Sequence, residues 1–296
     1  MVKTQPPPSP PLSQLAEADA SNPVLKGGFA NKPTVSTVYG PVRSWRFGAS
    51  LGIDVIRDTS TCSFNCIYCQ LGDIQKKTNS RQLFVPTDTI MADLAPVNWN
   101  EVDVITLSGS GEPTLATNLG EVIAGLKART QKPITVLTNG TLLNDPAVVA
   151  DLQQADTVAI KLDAATQETL QQINRPVDGI TLESIVAGAA AFRKQYPGKL
   201  CIQTMFMPAN RAELEGLADL IKAIHPDEVQ LNTPKRPYPL AWHVESRGNH
   251  TPNPTYETRP LRTIDPDEAT RIETTHTQLT GIPVQSIYHP PQADPA

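Results

Sequence analysis

The sequence predicts an α/β fold, a partial (β/α)6 barrel of the TIM-like kind, and three observations carry that expectation. Six short apolar runs alternate with helix-like runs, the pattern of a parallel sheet with right-handed crossovers. Six such units fall short of the eight that close a full barrel. The glycine-bearing and polar motifs follow the strands at their C-terminal ends, the rim where barrel folds place their chemistry. An open doubly wound sheet is the structural alternative.

Taken in order, residues 1–35 hold Pro6-Pro7-Pro8, Pro10-Pro11, Pro23 and Pro33 with few large apolar residues. Such a segment cannot bury enough surface to offset its ordering entropy, and it is expected to be a disordered arm. The folded core is expected over 36–289, with a frayed tail at 290–296. Strands are predicted at 52–56, 102–107, 134–137, 158–162, 200–206 and 229–231. Helices are predicted at 87–94, 119–128, 146–153, 166–173, 182–196, 212–223 and 266–280. Asp145 before Pro146, and Asp265 before Pro266, read as N-caps followed by proline at the first helical position. The 296 residues, 39% hydrophobic and 19% charged, suffice for one sizeable core.

After the first strand comes Thr61-Cys62-Ser63-Phe64-Asn65-Cys66-Ile67-Tyr68-Cys69-Gln70, with three of the four cysteines. A buried helix face would explain cysteines at this spacing, but Ser63, Asn65 and Gln70 crowd the segment and no apolar stripe continues it. Structural zinc wants four ligands, and only three are local. Three thiolates suit an iron–sulfur cubane with one ligand position open. The loop after the second strand, Ser108-Gly109-Ser110-Gly111-Glu112-Pro113-Thr114, lacks the third glycine of a dinucleotide fingerprint. Its glycines permit close backbone approach, and Glu112 can accept from an ammonium group. Thr138-Asn139-Gly140 ends the third strand. Lys161 and Asp163, two residues apart at the end of the fourth, leave one face of it. Asn232-Thr233-Pro234 follows the sixth.

The run Cys62-x3-Cys66-x2-Cys69, with Tyr68 before the third cysteine, resembles the radical S-adenosylmethionine (SAM) enzymes. The resemblance implies that Cys62, Cys66 and Cys69 hold three irons of a [4Fe-4S] cluster, that SAM chelates the fourth, and that reductive cleavage gives a 5′-deoxyadenosyl radical. It also implies a flavodoxin- or ferredoxin-type electron donor. Gly109, Gly111 and Glu112 resemble the element that receives the methionine ammonium. Asn139 and Lys161 are expected at the methionyl part, Asp163 at the ribose, and Tyr68 and Asn232 at the adenine. The fifth strand departs from the family pattern with Gln203-Thr204-Met205. Tyr39-Gly40-Pro41-Val42-Arg43-Ser44-Trp45-Arg46 with Gly52-Ile53-Asp54-Val55 resembles a bacterial branch related to 4-demethylwyosine synthase. No second cysteine triad is present, so wyosine synthesis itself is not expected.

Kinship suggests an RNA base as substrate, while a net charge of −5 argues for a peptide or small molecule. Rival readings are a zinc module completed by a remote His or Cys201, and a cluster protein without SAM chemistry. Cys201 lies in alternating strand sequence and reads as a core thiol. The proline-rich 232–262, with Lys235, Arg236, Tyr238 and Trp242, reads as either a lid over the rim or a surface excursion. Clustered cysteines without a signal pattern or an apolar span imply a reducing, cytoplasmic setting and no membrane.

Overall fold

The computed structural model describes residues 35–248 and 256–289. Apart from Val35, the arm at 1–35 and the tail at 290–296 lie outside the described residues. The chain begins with a hairpin, β1 (Val38–Ser44) and β2 (Gly48–Ile53), then two short strands, β3 (Thr61–Cys62) and β4 (Lys76–Lys77). Next come α1 (Thr87–Asp93), β5 (Val104–Leu107), α2 (Leu119–Arg129), β6 (Ile134–Thr138), α3 (Pro146–Leu152) and β7 (Thr157–Lys161). They are followed by α4 (Gln167–Ile173), α5 (Leu182–Arg193), β8 (Lys199–Met205), α6 (Leu214–Ile224) and β9 (Glu228–Asn232). A small β10 (Tyr238–Pro239) pairs with β11 (Thr258–Arg259), and α7 (Pro266–Thr280) leads into β12 (Val284–Ser286).

One sheet runs β1-β2-β5-β6-β7-β8-β9-β12. The six predicted strands are its centre, all parallel and in chain order. Two further strands flank them: β1 joins antiparallel at one edge and β12 parallel at the other. The first strand also starts earlier than predicted and ends at Ile53, so that Asp54 opens the following loop.

Alternation in the central strands separates two chemistries. In β8, Leu200 and Ile202 join the apolar core, whereas Cys201 and Gln203 are buried outside that cluster. In β9, Val229 and Leu231 join it, whereas Glu228 and Gln230 do not. Successive strand side chains point to opposite faces, so one face packs under the helices and the other lines a polar lumen. Cys201 therefore belongs to the lumen and not to the core where sequence placed it.

The helices bury their matching stripes. In α6 these are Leu217, Ala218, Ile221 and Ile224, each worth roughly 1.5–3 kcal/mol for the larger side chains on full burial. That helix ends at His225 in the left-handed conformation, φ +56°. The two aspartate caps form as expected: Asp145 accepts from the Ala147 N–H and Asp265 from the Glu268 N–H.

Candidate active site

The cysteine loop is held by backbone at several points. Thr61 bridges to Gly111, accepting from the Glu112 N–H at 3.0 Å and donating to the Ser110 carbonyl at 2.9 Å. The Asn65 and Ile67 N–H groups donate to the carbonyls of Asn174 and Ile173, each at 2.9 Å. The Asn65 side chain donates to Asp73 (2.7 Å) and accepts from the Ile74 N–H (3.0 Å), folding the loop back on itself.

Every sulfur in the loop has an N–H donor. Cys62 Sγ accepts from the Phe64 N–H (3.4 Å) and Asn139 Nδ2 (3.6 Å), and Cys66 Sγ from Asn174 Nδ2 (3.4 Å). Cys69 receives the backbone N–H of Leu71. Burial pushes all three thiols up, Cys69 to about 12, and the neighbouring cysteines of the trio add to this at Cys62 and Cys69. The N–H donors act in the opposite sense, since they favour a thiolate, the form a metal centre binds. Among the described residues no three His, Cys, Asp or Glu side chains converge as a single metal ion would require. A cluster does not ask for that, because each thiolate binds a different iron.

Around the loop the rim side chains form one network. Gly109 and Gly111 have φ +130° and +152°, and a Cβ on Gly111 would lie 1.7 Å from the Thr61 carbonyl oxygen. The glycines thus let the second loop lie directly on the cysteine loop. Glu112 is buried and clamps two rims together. Its Oε1 accepts from Thr114 N, Thr114 Oγ1 and Thr138 Oγ1, and its Oε2 from the Asn139 N–H. Desolvation raises its pKa, while the Thr138 hydroxyl, the Asn139 N–H and Thr114 lower it.

Asp163 is 1% exposed. It accepts from the Tyr68 hydroxyl in a short hydrogen bond, from Asn174 Nδ2 at 2.7 Å and from the Met205 N–H at 2.7 Å. The Lys161 ammonium stands 5.1 Å from the centroid of the Tyr68 ring. Asn139 donates to Ser63 Oγ (2.8 Å) as well as to Cys62. The structure therefore brings Tyr68, Glu112, Asn139, Lys161 and Asp163 into contact around the cysteines. Asn232 stands apart, opposite Met205 in the ladder, with its Oδ1 accepting from the Thr233 N–H.

Four contributors escaped the sequence reading. Asn174 joins Cys66 to Asp163, and Ser63 supports Asn139. Asp54 accepts from Ser110 Oγ (2.6 Å) and from Arg247 Nη1 (2.8 Å), a salt bridge with side chains 1% and 5% exposed. Arg247 belongs to the stretch considered as a lid. In its described part that stretch is a strap. Arg236 donates to Gln70 Oε1 and to the Gly248 carbonyl, each at 2.5 Å, and Gly72 packs against the Pro239 carbonyl. Residues 249–255 lie outside the described residues.

An incomplete parallel barrel with a three-cysteine loop on its C-terminal rim defines a class of SAM-dependent barrel enzymes. The family model described as the radical SAM superfamily matches residues 56–221, and the chain belongs to that superfamily. It is 48% identical over 256 residues to the UPF0026 protein slr1464 of Synechocystis, an alignment spanning 85% of this chain and 96% of that one. It is 33% identical to the UPF0026 protein MJ1312 of Methanocaldococcus jannaschii, across 69% of this chain and 65% of the other. Among solved structures, Streptococcus suis SuiB bound to S-adenosylmethionine shares the fold, with TM-score 0.56 and 16% identity, covering 79% and 49% of the two chains. The protein is thus an enzyme of a superfamily that uses SAM, an iron–sulfur cluster and an external reductant. No described helix is long and apolar enough to cross a membrane.

Proposed function

We propose that this chain is a SAM-cleaving radical enzyme carrying one [4Fe-4S] cluster on Cys62, Cys66 and Cys69. When bound, the cluster supplies the electron that splits SAM into methionine and a 5′-deoxyadenosyl radical, which abstracts hydrogen from a substrate. The observation that carries the reading is the environment of the three thiols: each sulfur meets an N–H donor, as cluster sulfurs do. The local set stops at three, leaving one iron free to take SAM.

The chain's own residues then divide the work. The backbone carbonyls of residues 109–111, with the remaining lone pair of Glu112 Oε2, receive the methionine ammonium. Lys161 offers an ammonium to the carboxylate, and Asn139 steadies Cys62 beside it. Tyr68 and Asn232 flank the adenine. Asp163 acts by fixing Tyr68 and the end of β8 rather than by reaching for the ribose, because its oxygens already hold three donors. A flavodoxin- or ferredoxin-type protein is the reductant, in a cytoplasmic setting.

Anaerobic reconstitution should load about four irons and four sulfides per chain. Dithionite and SAM should then release 5′-deoxyadenosine. Alanine at Cys62, Cys66 or Cys69 should abolish the brown absorbance, and Cys201→Ala should keep it. One tightly held zinc per chain without iron uptake would mark a zinc module instead and sink the proposal. A stable cluster that never binds SAM would mark an electron carrier.

A further inference from the structure

The polar lumen is not electrically balanced. Its carboxylates are all engaged: Glu228 by Lys199 Nζ (2.7 Å) and Gln230 Nε2 (2.6 Å), Asp54 by Arg247, and Asp163 and Glu112 by the donors named above. Two arginines have no carboxylate among the described residues. Arg46, in the turn between β1 and β2, has a wholly buried Nε without a hydrogen-bond partner. Its guanidinium meets only the rings of Trp45 and Phe47, at 5.6 and 5.3 Å. Arg236, on the strap, donates to two neutral oxygens.

These two side chains share one space. Burial first, and then the charge of Arg236, pull the Arg46 pKa down to about 10, while the lumen thiol Cys201 acts on it in the other direction. Arg46 thus approaches Cys201 from the hairpin edge of the sheet, and Arg236 comes from the strap beside the cysteine loop. An uncompensated buried cation is costly, and one that persists is explained by a ligand that neutralises it. Guanidinium groups present a planar fork that matches carboxylate or phosphate oxygens. The same face carries the amides of Gln203 and Gln230, joined at 2.8 Å, a surface for a polar molecule. A polynucleotide backbone would ask for cations spread along the surface, and these are enclosed.

We propose that Arg46 and Arg236 form the anion-binding end of the substrate chamber, and that the substrate is a small molecule bearing a phosphate or carboxylate group. The proposal rests on the radical SAM reading only in taking the lumen as the substrate's place. The test is thermal unfolding of the anaerobically reconstituted protein with inorganic phosphate, with succinate, and with sodium chloride at equal ionic strength. Phosphate or succinate at ten times its Kd should raise the midpoint by about 4 °C. A response to phosphate alone identifies a phosphorylated substrate, and one to succinate alone a carboxylate. Arg46→Met and Arg236→Gln should each abolish the response. Without anion, Arg46→Met should melt higher than the parent, since it removes an unneutralised charge.

No shift beyond the chloride control would overturn the proposal, as would variants that respond like the parent. An Arg46→Met protein that melts lower or fails to fold would show a structural arginine and would also overturn it. SAM binding is measured by calorimetry on the same preparations and should be unchanged in both variants. Its loss in every protein, parent included, would defeat the radical SAM reading while leaving the anion site standing.

Discussion

Replacing Arg247 by methionine should be among the most damaging single changes outside the apolar core. The substitution keeps the length of the side chain and removes its charge. It strands the Asp54 carboxylate, 1% exposed, with three neutral donors: Ser110 Oγ (2.6 Å) and the N–H groups of Ile56 (3.0 Å) and Arg57 (2.9 Å). Removing one partner of a buried ion pair costs about 3–5 kcal/mol, and the three remaining donors hold the cost to the lower end. Arg247 also donates to the carbonyls of Val244 and Ser36, each at 3.1 Å, adding roughly 0.5–1.5 kcal/mol per bond. A total near 4 kcal/mol lowers the midpoint by about 8–16 °C for a domain of this size. Thermal melts followed by circular dichroism read this directly. Asp54→Asn combined with Arg247→Met should be less destabilised than the sum of the two single changes, because neither charge is then left alone. A loss below about 1 kcal/mol, or strictly additive single changes, would refute the reasoning.

Three further outcomes follow from the site and the core. Gly111→Ala should cost about 3 kcal/mol or more and prevent cluster loading, since its Cβ would overlap the Thr61 carbonyl at 1.7 Å; iron content and urea unfolding check it. Asp163→Asn should weaken SAM binding by roughly ten- to a hundredfold through loss of a charged acceptor for Tyr68, with calorimetry as the measurement. His276 is fully buried with neither ring nitrogen partnered, and burial lowers its pKa from 6.5 to about 4. The unfolded chain therefore takes up this proton first. Stability should be full above pH 6.5 and fall by about 3 kcal/mol as the pH drops to 4, a slope that His276→Leu should remove.

The order of strands and helices was legible because the central β-strands are buried and the helices carry their own start signals. The helix from Pro266 to Thr280 was placed at both ends, by Asp265 as its cap and by Gly281 at φ +67° where it stops. The outer strands were not legible. β1 is an edge strand carrying Gly40 and Pro41, which only an edge tolerates, and β12 has three residues. The cysteines announced themselves by spacing. Their supports did not: Asn174 reaches Cys66 across 108 positions and Arg247 reaches Asp54 across 193, with no local pattern to mark either. Glu112 and Asp163 were singled out on residue type and position on the rim. The structure shows what sequence could not, that both spend their oxygens on holding the rim.

The sheet's two outer strands, β1 and β12, do not pair with each other, and the strap from β9 reaches across to the hairpin side through Arg247, Asp54 and Tyr39. That seam is closed by side chains, whereas the rest of the sheet is closed by a backbone ladder. Hydrogen exchange should separate the two. Amides of β7 and β8, paired on both sides, exchange only when the whole sheet melts, while those of β1 and residues 240–248 exchange through a smaller opening. The lumen can thus be exposed along one edge at the cost of an ion pair and a few contacts, with the cysteine loop still anchored on α4.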